Sequence, residues 1–270
     1  MKAKYCILVK LLVRLVFFSM FLVCVDGAYA QGKTLRPLFE KYGINVKDQG
    51  ERPTCSIFTL VGLIEFERTH ALGDLTPRSF VKPLSVEYLN WAADMTEGVR
   101  KDGSFFHFAI DGMVRYGICE DDYMPYATRF SRKVEPSEVA KKNAEKRKVG
   151  NQIWIKEWDP TNGVTAEQLK KIQEQLDNDH PVAIGFRWPK KDVEKRYLEG
   201  GELTMVDESQ VFDGHSVLIV GYQTDAATPG GGYLIYKNSH GVSFGENGYG
   251  RVPYAYAMLY ANDAMALHLK

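Results

Sequence analysis

The spacing of apolar residues changes partway along this chain, and the change limits the architectures open to it. Before about residue 149, apolar positions recur at helical intervals. Ile57, Leu60, Val61 and Ile64 do so with polar residues between them. Ser85 reads as the N-cap of a helix over Val86–Ala93. Another helix follows Ser104, with Phe105, Phe108, Ala109 and Met113 on one face. The charged stretch Glu135–Lys148 has few large apolar residues and reads as a solvated helix or a connector between lobes. Beyond it, an amphipathic helix is predicted over Thr165–Asn178, with Leu169, Ile172 and Leu176 inward. Short β-type runs follow at Val182–Phe186, Ser216–Tyr222, Tyr233–Tyr236 and Tyr249–Val252, punctuated by Gly and Pro. A helical half thus precedes a mainly antiparallel β half. An α+β chain of two lobes is expected, with an active site in the cleft between them.

The N-terminus reads as an address. Lys2, Lys4, Lys10 and Arg14 precede an apolar run, Leu15–Val25, which ends before Ala28-Tyr29-Ala30. That is the layout of a secretory signal peptide over residues 1–30, cleaved after Ala30. The run holds 11 residues, short of the ~20 that span a bilayer. The rival readings are an anchor extended by Leu11-Leu12-Val13 and a lipoprotein modified at Cys24, where Val23 is bulkier than such a site takes. A secreted or periplasmic protein is expected, touching the membrane only through its leader.

The 34 basic residues balance the 34 acidic ones, and loss of the leader leaves a net charge of −3. Neither nucleic acid nor an anionic membrane is indicated as a partner. With 45% apolar and 25% charged residues, the chain is neither disordered nor fibrous. Cleavage also removes Cys6 and Cys24, so Cys55 and Cys119 remain, too few for a disulfide-built scaffold. No repeat is visible, and a monomer is expected.

Three residues could carry chemistry together. Cys55 follows Pro53-Thr54 at the entry to the first helix, where the positive end of the helix dipole favours a thiolate. His215 opens an apolar strand, and Asn238 closes another before a glycine-rich loop. Each alone has an ordinary reading: a buried thiol, a structural imidazole, a turn residue. A nucleophilic cysteine needs a base, however, and the base needs a group to fix its tautomer. These three supply those types in that order.

Here the chain resembles the papain-like cysteine peptidases. Val46–Phe58 is similar to the family's segment around its catalytic cysteine, with Gln49 six residues before Cys55. Leu84–Leu89, Gly117–Tyr126, Gly214–Tyr222 and Lys237–Gly250 resemble four further family segments, in the family's order. The separations are 160 residues from Cys55 to His215 and 183 to Asn238. The resemblance implies a papain-like two-lobed fold: a helical lobe over about 48–148 and an antiparallel, β-barrel-like lobe over about 149–270. It implies peptide-bond hydrolysis through a thioester acyl-enzyme. Cys55 would be the nucleophile, held as a thiolate beside protonated His215, and Asn238 would orient the imidazole. Gln49 would join the Cys55 N–H in an oxyanion hole, and the Gly103 backbone would hold the substrate strand. No cofactor is implied, and the partner is a peptide or protein substrate.

The departures from the family pattern are local. Arg52 stands where a disulfide cysteine is usual, Pro53 where a glycine is, and Ser56 where a bulky aromatic is. His240 replaces the tryptophan that shields the Asn–His bond, and is expected to titrate near 6.5. The 25 residues from Gln31 to Cys55 leave no room for an inhibitory pro-domain. Two other functions compete: a catalytically weakened peptide-binding protein, and another cysteine-dependent acyl-transfer enzyme. Cys119 reads as a packing residue, and His70, His107, His180 and His268 show no metal-site spacing.

Overall fold

A helix of 18 residues, Cys55–Leu72, is buried along nearly its whole length, polar positions included. The spacing had suggested one apolar face; instead Glu65, Glu67, Thr59 and Thr69 are enclosed with Leu60 and Ile64. A helix covered all round belongs inside a core, and this one separates a helical layer from a β-sheet. Its buried polar groups are paired. Glu65 accepts from Lys47 Nζ at 2.7 Å and from the Leu84 N–H at 2.8 Å. Glu67 lies 3.0 Å from His180 Nδ1. The computed structural model describes residues 31–73, 82–148 and 151–269. The expected signal peptide, residues 1–30, lies outside the described residues.

In chain order the helices are α1 (Arg36–Tyr42), α2 (Cys55–Leu72), α3 (Val86–Glu97), α4 (Phe106–Tyr116), α5 (Glu138–Ala144), α6 (Ala166–Asp177), α7 (Glu194–Tyr197) and α8 (Tyr254–Tyr260). Ser85 caps α3 by accepting from the Tyr88 N–H at 2.9 Å. Thr165 and Gln168 close a capping box on α6, which buries Leu169, Ile172 and Leu176 as its spacing predicts. The stretch expected as a solvated helix or connector contains α5, which buries only Ala140 and Ala144. The third predicted helix begins one residue late. Phe105 precedes α4, and its ring is 42% exposed.

The strands are β1 (Gly32–Thr34), β2 (Gln152–Lys156), β3 (Val182–Pro189), β4 (Leu198–Glu199), β5 (Glu202–Leu203), β6 (Val211–Thr224), β7 (Gly232–Lys237), β8 (Tyr249–Pro253) and β9 (Ala261–Leu267). They form one sheet in the order β2-β9-β3-β6-β7-β8-β5-β4, with β1 joined to β6. Pairing is antiparallel except where β5 meets β8. Five strands, β1, β2, β4, β5 and β9, escaped the sequence reading. β2 precedes the cleft loop, and β9 carries Asp263.

The long strand β6 is divided between partners, and this division places the site. Its first part pairs with β3, setting His215 opposite Phe186. Pairing with β7 starts only at Leu218. The edge at residues 214–217 is therefore left open beside the N-terminus of α2. Farther on, β1 runs so close that a Cβ on Gly221 would stand 2.4 Å from the Lys33 carbonyl oxygen.

The helical layer is held by an equally close approach. A Cβ on Gly112 of α4 would lie 2.6 Å from the Ala92 backbone of α3. Gly112→Ala must push the two helices apart, at a cost of about 1–3 kcal/mol. Urea unfolding should show a lower midpoint with an unchanged slope.

Candidate active site

Cys55 is the first residue of α2, and no side chain caps that helix end. The Thr54 hydroxyl instead lies 2.8 Å from Tyr126 Oη. The free N–H groups and the positive end of the dipole therefore face the thiol. Cys55 shares with His215 a cleft of about 150 Å³, walled by Pro53, Phe105, Trp158 and Phe186. Ser216, on the open edge of β6, bonds the Cys55 sulfur through its backbone and its hydroxyl. Backbone groups of Ser56 and Cys55 add to these.

His215 is buried, and its Nε2 lies 2.9 Å from Asn238 Oδ1. Asn238 follows directly after β7, and the same oxygen accepts from the Ser239 N–H at 2.8 Å. An oxygen that only accepts fixes the imidazole with its proton on Nε2, which leaves Nδ1 as the basic nitrogen. Burial pushes the Cys55 thiol up and the His215 imidazole down. The expected resting thiolate is thus opposed by desolvation. Either charge alone is costly here, and the two form together or not at all.

Two rings flank His215. Trp188 of β3 meets it edge-on at 4.9 Å, and His240 lies tilted against it at 4.9 Å. His240 occupies the shielding place, half-buried, with Phe244 edge-on behind it at 5.7 Å. Its pKa is below 6.5, contrary to expectation, because of burial and the nearby His215. His240 therefore takes up a proton at lower pH than was expected. Trp188 was missed in the sequence. Its only signal was a tryptophan two residues beyond an apolar strand.

Gln49 is buried and tied on three sides. Its backbone N–H donates to the Ser239 carbonyl at 2.8 Å, its Oε1 accepts from Ser239 Oγ, and its Nε2 donates to the Arg52 carbonyl at 2.9 Å. One amide hydrogen remains for a further acceptor. The Gly103 N–H donates to Asn90 Oδ1 at 2.9 Å. Its φ is +79°, and a Cβ would collide with the Pro53 carbonyl. Glycine is required here because the loop before Cys55 presses against it. The Ser56 hydroxyl donates to the Ser104 carbonyl and joins the same two segments.

Arg52 is 5% exposed and joins four segments. It donates to Glu87 at 2.6 and 3.3 Å, to Asp102 at 2.8 and 3.1 Å, and to the Ala127 carbonyl at 2.6 Å. Its guanidinium also lies 4.3 Å from the centre of the Tyr126 ring. Burial alone would lower its pKa, but bonding to Asp102 and Glu87 outweighs this and raises it. Tyr126 in turn donates to the Gln49 carbonyl at 2.9 Å. At the place of the usual disulfide stands a buried ionic junction.

Asp263 lines the cleft from β9, 4% exposed. Its Oδ1 accepts from the Gly185 N–H at 3.1 Å. Burial pushes its carboxyl up to about 6. Cys119 lies outside the cleft, wholly buried, with its thiol pushed up to about 11 by burial. His70, His180 and His268 do gather, but His180 and His268 stack at 3.8 Å rather than converge. Among the described residues, no group of three or more His, Cys, Asp or Glu could hold a metal ion.

The family profile described as "Papain family cysteine protease" matches residues 41–265. A viral cathepsin of Spodoptera litura multicapsid nucleopolyhedrovirus is 26% identical over 208 residues, covering 76% of this chain and 52% of the relative. That of Mamestra configurata nucleopolyhedrovirus is 25% identical over 237 residues, covering 85% and 60%. The chain spans about half the length of these curated relatives. In fold it is similar to xylellain, a cysteine protease from Xylella fastidiosa, with a TM-score of 0.71 and 21% identity over 88% of this chain and 86% of that one.

The Arg52 junction has a measurable consequence. Arg52→Ala strands the buried Glu87 carboxylate and the half-buried Asp102, and should cost about 3–5 kcal/mol. Denaturant unfolding reads this loss. A change below about 1 kcal/mol, as for an exposed ion pair, would show that the junction does not hold the nucleophile loop.

Proposed function

The chain belongs to the papain family of cysteine proteases, and from that premise we propose that it is exported and hydrolyses peptide bonds through Cys55, His215 and Asn238. The observation that carries this reading is the 2.9 Å bond between His215 Nε2 and Asn238 Oδ1, in the cleft that also exposes Cys55 at a helix N-terminus.

The reaction starts when His215 Nδ1 takes the Cys55 proton and the sulfur attacks the scissile carbonyl. The thiolate and imidazolium appear as a pair, and the dipole of α2 and the Ser216 bonds favour the sulfur's charge. The oxyanion receives the Cys55 N–H and the remaining Gln49 amide hydrogen. His215 then protonates the leaving amine, which departs and leaves a thioester on Cys55. Water, deprotonated by the same imidazole, attacks the thioester and releases the acid. The rings of His240 and Trp188 keep water off the Asn238–His215 bond throughout. Export rests on residues 1–30, and the N-terminus of the secreted form should be Gln31.

Hydrolysis of fluorogenic peptides by the purified protein tests the reading. Cys55→Ala or His215→Ala should lower kcat by at least ~10²-fold, because each removes the nucleophile or its base. Tight peptide binding without turnover in the unaltered protein would instead favour the binding-protein alternative.

Asp263 sets the chemistry of the substrate side chain that enters the cleft. Its carboxyl titrates at about 6 against a usual 3.8, so it is largely neutral below that pH and anionic above. Substrates that place lysine or arginine in the cleft should be preferred at pH 7.5 and lose that preference below about pH 6. Asp263→Asn should remove the pH dependence. A basic preference that is the same at both pH values would place its origin elsewhere.

A further inference from the structure

A second and larger concavity, of about 390 Å³, adjoins the catalytic cleft. It lies where α4 faces β2 and the residues after it, with His107, Asp111, Trp154, Glu157 and Trp158 in its walls. Trp158 belongs to both spaces. Phe105, in the cleft wall, meets Trp158 edge-on at 5.5 Å and stacks on His107 at 5.7 Å, 12° from parallel. One aromatic ridge therefore runs from the cleft into the groove.

The walls carry one sign of charge. Asp111 and Glu157 are exposed, and neither makes an ion pair among the described residues. No lysine or arginine lines the groove. The nearby Lys156 ammonium is turned away, onto the carbonyls of Asp159 at 3.0 Å and of Glu157 and Asn262. These bonds also fix the loop that presents Trp158. Asp159 reinforces it by accepting from the Thr161 and Asn162 N–H groups at 2.8 and 3.3 Å. Trp158 is thus 45% exposed on a held loop, between a catalytic cleft and two unpaired carboxylates. Indole faces beside carboxylates attract a cation carried on an apolar stem, and attract a neutral side chain far less.

We propose that this groove is an auxiliary binding site for a lysine or arginine side chain of the polypeptide whose scissile bond lies in the cleft. The proposal rests on the peptidase reading. The cation lies against Trp158 and Trp154, with Asp111 and Glu157 balancing its charge. The substrate backbone follows the ridge of Phe105 from Cys55 outward. The groove therefore selects at a position removed from the scissile bond, whereas Asp263 selects within the cleft.

Binding and turnover test this separately. In the Cys55→Ala protein, tryptophan fluorescence is titrated with peptides of one length, each carrying a single lysine at a different position. One lysine position should bind about tenfold more tightly than its norleucine counterpart, and less so as salt is raised. Asp111→Asn with Glu157→Gln, both at exposed positions, should remove that advantage. In the active protein, the same pair of substitutions should leave kcat/KM unchanged on a short substrate that fills only the cleft. No preferred lysine position, or a preference that survives the double substitution, overturns the proposal. Cleavage without any dependence on distant lysine defeats the groove alone. Groove-dependent binding with no cleavage of any peptide defeats the hydrolytic reading and leaves the groove standing.

Discussion

The Arg52 guanidinium shares its donors among Glu87, Asp102 and the Ala127 carbonyl while 5% of the residue is exposed. Burying one cation costs several kcal/mol unless its geometry and charge are met, and here two carboxylates and a carbonyl meet them. The segment 49–54 is therefore fastened at once to α3, to the loop before Gly103 and to the strip around Tyr126. Tyr126 extends the grip to the Gln49 carbonyl and the Thr54 hydroxyl. The position of Cys55 depends on this junction, because Cys55 follows Arg52 by only three residues. A disulfide would fix one pair of points; the guanidinium fixes three and does not depend on redox state.

Desolvation governs the chemistry that this scaffold supports. α2 is enclosed and its N-terminus ends at the cleft, where the divided pairing of β6 leaves Ser216 free to reach Cys55. Burial disfavours a lone thiolate and a lone imidazolium alike. It also strengthens the attraction between them once the proton has moved. Trp188 and His240 complete the enclosure. The His240 imidazole stands in this enclosure, and its burial beside His215 disfavours its charged form.

Carboxylates stand at two depths along the proposed substrate path. Asp263 is buried in the cleft, and its charge depends on pH near 6. Asp111 and Glu157 stand in solvent at the groove. The Phe105–Trp158 contact joins the two regions. Phe105 is exposed because α4 starts at Phe106 and turns the next ring inward instead.

Much of the proposed catalytic set comes from the residues themselves. The order of Cys55, His215 and Asn238, the Ser85 cap and the inward face of α6 all follow from local spacing and side-chain chemistry, which a linear sequence records. The Arg52 junction was not legible, because its carboxylates lie 35 and 50 residues away and no periodicity links them. The same holds for Trp188 beside His215, and for Asp263, which reaches the cleft on a strand that local patterning did not reveal. The bond from the Gly103 N–H to Asn90 likewise spans segments that no local pattern links. The sequence by itself determined which groups could react and where α2, α3 and α6 begin. The tertiary structure alone decided which charges are buried together and which rings exclude water, because desolvation and ion pairing depend on distance in space and not on separation along the chain.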